Sequence, residues 1–181
     1  RPRKLAEAFA PLGHAVVFFS LTGNTYGQFG GVRAYSVAPL ADLSDPVARE
    51  LDGSQQWQVR RWVELCLRHN RPVLVVNCAF TPLAQTVMNA VKRLGARAIY
   101  DCIDNWAEFE RLARRQQVDI GYHPDIEREI AQAADLLTAS AHALQTRLRR
   151  LVASPKSVLY VPNALASELR DRPVERPPAN F

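Results

Sequence analysis

The sequence predicts an α/β fold: a doubly wound, mainly parallel sheet with helices on both faces. Three observations carry this. Short, nearly continuous apolar runs recur at residues 14–21 (HAVVFFSL), 72–79 (PVLVVNCA), 98–103, 136–139 and 157–161. Such runs suit strands buried on both faces, as parallel strands are. Between most of them lie segments with apolar residues at spacings of three and four, the mark of an amphipathic helix. Strand and helix alternating in this way, joined by right-handed crossovers, build a doubly wound layer structure.

In order, residues 1–12 read as a helix with Leu5, Ala8, Phe9 and Leu12 on one face, Pro11 in its last turn and Gly13 as its stop. The first strand follows at residues 14–21. Residues 22–31 hold Gly23, Gly27, Gly30 and Gly31, but a dinucleotide fingerprint needs its glycines between a strand and a helix. A second strand-like run, residues 32–38, follows instead, so the glycine stretch is expected to be a mobile loop. Residues 39–54 are polar, with Pro46 and Gly53, and read as loop with room for a short helix. Residues 55–68 form a helix whose inner face is expected to be Trp57, Trp62, Leu65 and Cys66.

After the strand at 72–79 comes the clearest helix, residues 81–94. Thr81 suits its cap, Pro82 its first position and Gly95 its stop, with Leu83, Val87, Ala90, Val91 and Leu94 as the stripe. The next strand runs into Asp101 and Asp104, and a helix over 105–116 places Trp106, Phe109 and Leu112 on one face. A short helix over 125–134 turns Ile126 and Ile130 inward. Strand 136–139 leads to Ser140, a suitable cap for a helix with Leu144, Leu148 and Leu151 as its stripe. Strand 157–161 is followed by Pro162-Asn163-Ala164. Residues 172–181, with Pro173, Pro177 and Pro178, have linker composition. The expected organisation is one domain over 1–171 and a Pro-rich linker over 172–181. The chain opens on a helix and closes on a linker, as expected of part of a longer protein.

The net charge is +5 and the isoelectric point about 9.4. That balance permits an anionic partner such as a nucleotide, a phospholipid surface or nucleic acid. No nucleic-acid motif accompanies it, so no nucleic-acid partner is expected. Cys66, Cys78 and Cys102 are odd in number, widely spaced and set in apolar segments, which predicts buried free thiols in a reducing compartment. No apolar run approaches the ~18–20 residues that span a bilayer, and no signal peptide is visible. His14, His69, His123 and His142 show no ligand spacing with the cysteines, so neither zinc nor another metal is expected.

The site is expected where the strand ends on Asp101 and Asp104, because ligands of open α/β sheets sit outside the carboxyl ends of the strands. A carboxylate there accepts from hydroxyls and acts as a base; equally, an acid at that place caps the following helix, a role for which Asp104 is the better placed. Trp106 offers an apolar ring for stacking or simply packs in the core. Ser140 is a helix cap at a helix end that also suits an anion. Asn163 anchors the last turn or lines the cleft. Arg147, Arg149 and Arg150 form a basic helix face, either solvated or facing anionic lipid.

Four places together resemble the amino-terminal half of family 4-type glycosyltransferases, bacterial enzymes of the two-Rossmann-domain architecture called GT-B. They are Arg1-Pro2-Arg3-Lys4-Leu5-Ala6 with Gly13-His14; Tyr100-Asp101-Cys102-Ile103-Asp104-Asn105-Trp106 with Phe109; Glu127 with Ala134-Asp135-Leu136-Leu137-Thr138-Ala139-Ser140; and Val161-Pro162-Asn163-Ala164. Ala164 departs from the glycine usual in the family. The resemblance implies a Rossmann-like, acceptor-side domain of a polysaccharide- or cell-envelope-building transferase. Its substrates would be a nucleotide-sugar donor and a carbohydrate or lipid-linked acceptor, with no cofactor. It also implies that the family's first strand would precede Arg1, and that the domain is inactive without a carboxyl-terminal half holding the donor. The expected location is cytoplasmic, with peripheral contact at the inner face of the membrane. Asp101 and Asp104 then become candidate catalytic residues. Trp106, Ser140, Asn163 and Arg1 become candidate substrate contacts, Arg1 near phosphate unless it is simply solvated.

A reading from another class is a non-catalytic nucleotide- or carbohydrate-binding module of Rossmann type. A receiver-like regulatory domain fits less well, because Lys92 and Lys156 do not follow strands as a receiver's lysine does.

Overall fold

In a computed structural model, described for residues 11, 17–20, 27–29, 32–36, 51–70, 74–77, 80–118, 120, 122–153 and 156–162, the alternation of strands and helices becomes two sheets. Strands β1 (Val17–Ser20), β2 (Gly27–Phe29) and β3 (Val32–Ser36) form the first, in the order β1-β3-β2. β1 and β3 are parallel, and β2 is antiparallel to β3. The glycine stretch read as a mobile loop therefore contains a strand. Phe29 meets Val32 in the antiparallel register of β2 with β3. The expected helix at residues 1–12 lies outside the described residues except for Pro11, and so does the linker at 172–181.

The second sheet is wholly parallel, in the order β4-β5-β6-β7: Leu74–Asn77, Arg97–Cys102, Leu136–Ala139 and Val158–Tyr160. Its crossovers are helical. α1 (Gly53–Asn70) precedes β4, α2 (Pro82–Arg93) joins β4 to β5, α3 (Trp106–Arg115) and α4 (Pro124–Ala133) join β5 to β6, and α5 (His142–Leu151) joins β6 to β7. This is the α/β architecture that the sequence predicts.

Local chemistry explains the helix ends. Thr81 accepts from the Ala84 amide at 3.2 Å, Pro82 occupies the first turn of α2, and Gly95 turns away at φ 72°. That left-handed angle suits glycine, which has no Cβ to clash. α1 starts two residues before its predicted start because Asp52 and Gln55 cap each other's amides, at 2.8 and 3.0 Å.

The helix faces depart from expectation in three places. In α1 the buried stripe is Val59, Val63, Cys66 and Leu67, while Trp57 is 63% and Leu65 41% exposed. Val59, Val63 and Leu67 recur every four residues and pack on Leu83, Val87, Ala90 and Val91 of α2, so one turn of register decides the face. Leu94, the C-cap of α2, is exposed. In α3 the buried residues are Glu110 and Ala113, while Phe109 and Leu112 face outward.

One core lies where α2, α4 and α5 cover a face of the parallel sheet. Ala98, Tyr100 and Cys102 of β5 and Leu137 and Ala139 of β6 meet Met88, Ile130 and Leu148 there. Inside it sits Glu127 of α4, fully buried. Its carboxylate accepts from Tyr100 and Tyr122 hydroxyls, each at 2.7 Å, and from both arms of the Arg147 guanidinium. Burial alone would raise its pKa; Arg147 and the two tyrosines outweigh that and hold it below the ordinary carboxylate range. Arg147 therefore belongs to the interior and not to the basic helix face, which keeps Arg149 and Arg150. Cys66 and Cys102 are buried free thiols, and burial, followed by the charge of Glu127, pushes Cys102 up to about 12. Cys78 lies outside the described residues.

The amino edge of the sheet is locked. Asp135 accepts from the Ala98 amide at 2.8 Å, from Lys92 at 2.6 Å and from Arg97 at 3.1 Å. Lys92 first, then the Ala98 amide, bring its pKa down to about 2. Lys156 donates to the Ala131, Gln132 and Ala134 carbonyls at the end of α4. Both lysines thus serve the scaffold.

Two outcomes follow. Arg147→Met leaves Glu127 buried without its cation and should cost about 3–5 kcal/mol in denaturant unfolding, and adding Glu127→Leu should recover much of that. Glu127 and Asp135 both have folded pKa values below their unfolded ones. The stability they contribute is therefore present above the unfolded carboxylate range (~4) and is lost as pH falls through the folded values. An acid titration of the melting temperature should show that loss, reaching down to about pH 2 for Asp135, and a flatter curve in the Arg147→Met, Glu127→Leu variant.

Candidate functional site

Successive residues of a strand point to opposite faces. Tyr100 and Cys102 face the helical core, so Ile99 and Asp101 face the other way. Asp101 stands opposite Thr138 in the β5–β6 register, and the Thr138 hydroxyl donates to its Oδ1 at 2.6 Å. Asp101 is only 2% exposed. It is thus a buried acid held near the carboxyl ends of two central strands, tied to the neighbouring strand.

Beyond β5 the chain turns at Ile103 and Asp104. Asp104 is exposed, and its carbonyl accepts from the Cys102 thiol at 3.5 Å. It does not cap α3: Asn105 does, accepting from the Glu108 amide at 3.4 Å. The helical backbone begins one residue later than the capping role of Asp104 requires, which leaves that carboxylate outside the helix. Ser140 is likewise not a cap. α5 begins at His142, its N-cap is Ala141 without a side-chain bond, and the Ser140 hydroxyl donates instead to the Ile103 carbonyl at 2.7 Å. The Ser140 amide donates to the Cys102 carbonyl at 3.1 Å. Ser140 therefore pins the turn that carries Asp104.

Trp106 opens α3 beside this turn. Its ring lies 4.8 Å from Phe80 and 6.1 Å from Phe109, and Phe80 in turn meets Tyr122 edge-on at 5.3 Å. Trp106 is half-buried, so it joins a small aromatic cluster and shows only part of its ring to solvent. On the other side of Ser140, Tyr160 ends β7 opposite Ala139, and the His142 ring stacks on it at 4.1 Å.

Four of the six sequence-predicted residues thus gather at one edge: Asp101, Asp104, Trp106 and Ser140. Asn163 and Arg1 lie outside the described residues. Among the described residues, no group of three or more His, Cys, Asp or Glu side chains is placed to hold a metal ion. Thr138, Asn105 and Phe80 were not singled out from the sequence. Thr138 alone carried a signal, as the one polar side chain in the strand LLTA.

The arrangement offers an exposed carboxylate, a buried one behind it, and aromatic surface alongside. Such an edge accepts hydrogen bonds from hydroxyls and presents rings to an apolar sugar face. In comparisons with known proteins, the family model of the glycosyl transferase 4-like domain matches residues 1–164. No curated protein matches the chain.

The Asp101–Thr138 contact yields a direct test. Thr138→Val keeps the shape but removes the donor to a buried acid and should cost about 1–3 kcal/mol of unfolding free energy, whereas Thr138→Ser should stay near wild type.

Proposed function

Because the chain belongs to the glycosyl transferase 4-like domain family, we propose that it is the amino-terminal, acceptor-side domain of a transferase. That enzyme moves a hexosyl group from a nucleotide sugar to a carbohydrate or lipid-linked acceptor of the cell envelope or of a polysaccharide. The observation that carries this reading is the exposed Asp104 at the carboxyl edge of the parallel sheet. In this architecture ligands lie in the crevice beyond that edge.

The two acids divide the work. Asp104 accepts a hydrogen bond from the acceptor hydroxyl and orients its oxygen toward the sugar carbon. Asp101 is a positioning residue: it ties β5 to β6 through Thr138 and keeps the turn bearing Asp104 in place. Trp106 and Phe109 supply ring surface for the acceptor. Ser140 holds the turn from below. The donor is bound by a second domain facing this edge, and no cofactor enters the chemistry.

Asp104 is exposed and does not cap α3, whereas Asp101 is buried, which supports giving the chemistry to Asp104 and the stability to Asp101. In the full-length enzyme, Asp104→Asn should lower turnover roughly a hundredfold, the low end of what a proton-accepting group supplies, with an unchanged melting temperature. Asp101→Asn should lower the melting temperature first. Thermal melting with acceptor kinetics on both variants decides it; wild-type turnover in Asp104→Asn would remove that residue from the site.

A further inference from the structure

Helix α3 turns its large apolar side chains outward and an acid inward. Phe109 and Leu112 are exposed, while the buried residues are Glu110 and Ala113. Glu110 is 7% exposed. Its Oε1 accepts from Arg114 at 2.6 Å, but its buried Oε2 has no hydrogen-bond partner. Trp106, one turn earlier on the same face, is half-buried, and its Nε1–H is buried and likewise without a partner. Buried polar atoms of folded proteins are almost always bonded. Glu127, the buried acid of α4, spends both oxygens on Tyr100, Tyr122 and Arg147. On α3 a donor and an acceptor instead stand idle one turn apart. Phe80, whose ring lies 4.8 Å from Trp106, also meets Tyr122 at 5.3 Å, and the residue after Tyr122, His123, holds a third unpartnered buried atom, Nε2.

We infer that the inner face of α3 is a second acceptor subsite, which binds the sugar adjoining the one at Asp104 through neighbouring hydroxyls. This rests on the reading of the Asp104 edge as the acceptor site, and it sets the substrate class: the acceptor is a saccharide of at least two residues. The Trp106 N–H donates to one hydroxyl, and Glu110 Oε2 accepts from the next. Hydroxyls suit both atoms because they donate and accept. An ammonium group has nothing to accept the indole proton, and a phosphate meets the Glu110 carboxylate as a like charge. From Trp106 to Glu110 the helix rises about 6 Å at 1.5 Å per residue, a step that one pyranose ring spans. Phe80 and the indole supply ring surface for its apolar face. Both polar atoms are closed off in the free protein. Part of the indole is exposed, so the sugar enters as that ring swings aside and carries its N–H to the ligand.

The test follows the Trp106 indole N–H signal in proton–nitrogen correlation spectra of the chain, assigned by its loss in Trp106→Phe. The probes are glucose, mannose, galactose and N-acetylglucosamine, and the disaccharides cellobiose, mannobiose, lactose and chitobiose. At least one disaccharide should shift the signal and bind roughly tenfold more tightly than its constituent monosaccharide. Glu110→Gln keeps the shape and removes the charge; Trp106→Phe keeps a ring and removes the donor. Each should weaken that disaccharide roughly tenfold, read on the backbone amides of α3. Glu108→Gln, on the exposed side of the same helix, should bind as wild type does. Unchanged melting temperatures confirm that the variants fold, and the wild-type titration decides the matter where one does not.

Three results would each overturn the inference: no disaccharide moves the Trp106 signal, monosaccharides bind as tightly as disaccharides, or Glu110→Gln and Trp106→Phe bind as wild type does, which would leave the pair to a structural water. The assay needs no turnover, so a silent Trp106 leaves the role of Asp104 standing. Wild-type turnover in Asp104→Asn beside a responsive Trp106 would remove Asp104 and keep the binding site.

Discussion

A single buried carboxylate ties the described core together. Glu127 has no exposed surface, yet it receives two tyrosine hydroxyls and a guanidinium from β5, α5 and the segment before α4. An ionised acid in such a place is tolerated only when paired and fully hydrogen-bonded. That requirement constrains three elements at once. It places α4 and α5 side by side on the sheet and fixes which face of β5 turns inward. Because Tyr100 must point into the core, its neighbour Asp101 must point out of it.

The two edges of the parallel sheet then divide the labour. The amino edge is closed by charge: Asp135 holds Ala98, Lys92 and Arg97, and Lys156 covers the last carbonyls of α4. The carboxyl edge is pinned by short contacts that leave side chains outward. Thr138 holds Asp101, Ser140 holds Ile103, and the Val161 amide donates to Ala139 at 2.9 Å. Asp104 stands exposed on that fixed frame. A transferase needs this combination, because an acceptor hydroxyl held loosely forfeits much of the advantage of orientation.

The parts legible in the sequence are those whose signals are local. Thr81, Pro82 and Gly95 bracket α2 within their own turns, and the run LLTA matches β6 residue for residue. Asp101 and Asp104 could be placed at a strand end because the pattern of apolar run, acid and helix sits in one stretch. What escaped depends on partners far along the chain. Arg147 reads as one of three surface arginines until Glu127, twenty residues earlier, is seen beneath it. Thr138 gains meaning only from its register with Asp101, thirty-seven residues away. The capping errors at Asp104 and Ser140 are offsets of one residue each, within the one or two residues by which helix ends vary. Trp57 and Phe109 mislead for a different reason: size suggests an inward residue, but the phase of the stripe is set by the smaller Val59, Val63 and Ala113.

The central claim is that acceptor chemistry takes place at the edge bearing Asp104. The most direct measurement is a structure of the protein with an acceptor sugar bound. The account predicts an acceptor hydroxyl within about 2.6–3.2 Å of the Asp104 carboxylate, with the sugar ring beside Trp106 and Phe109. A sugar bound at the opposite edge, near Asp135 and Lys156, or bound at the carboxyl edge with Asp104 turned away from it, would contradict the account.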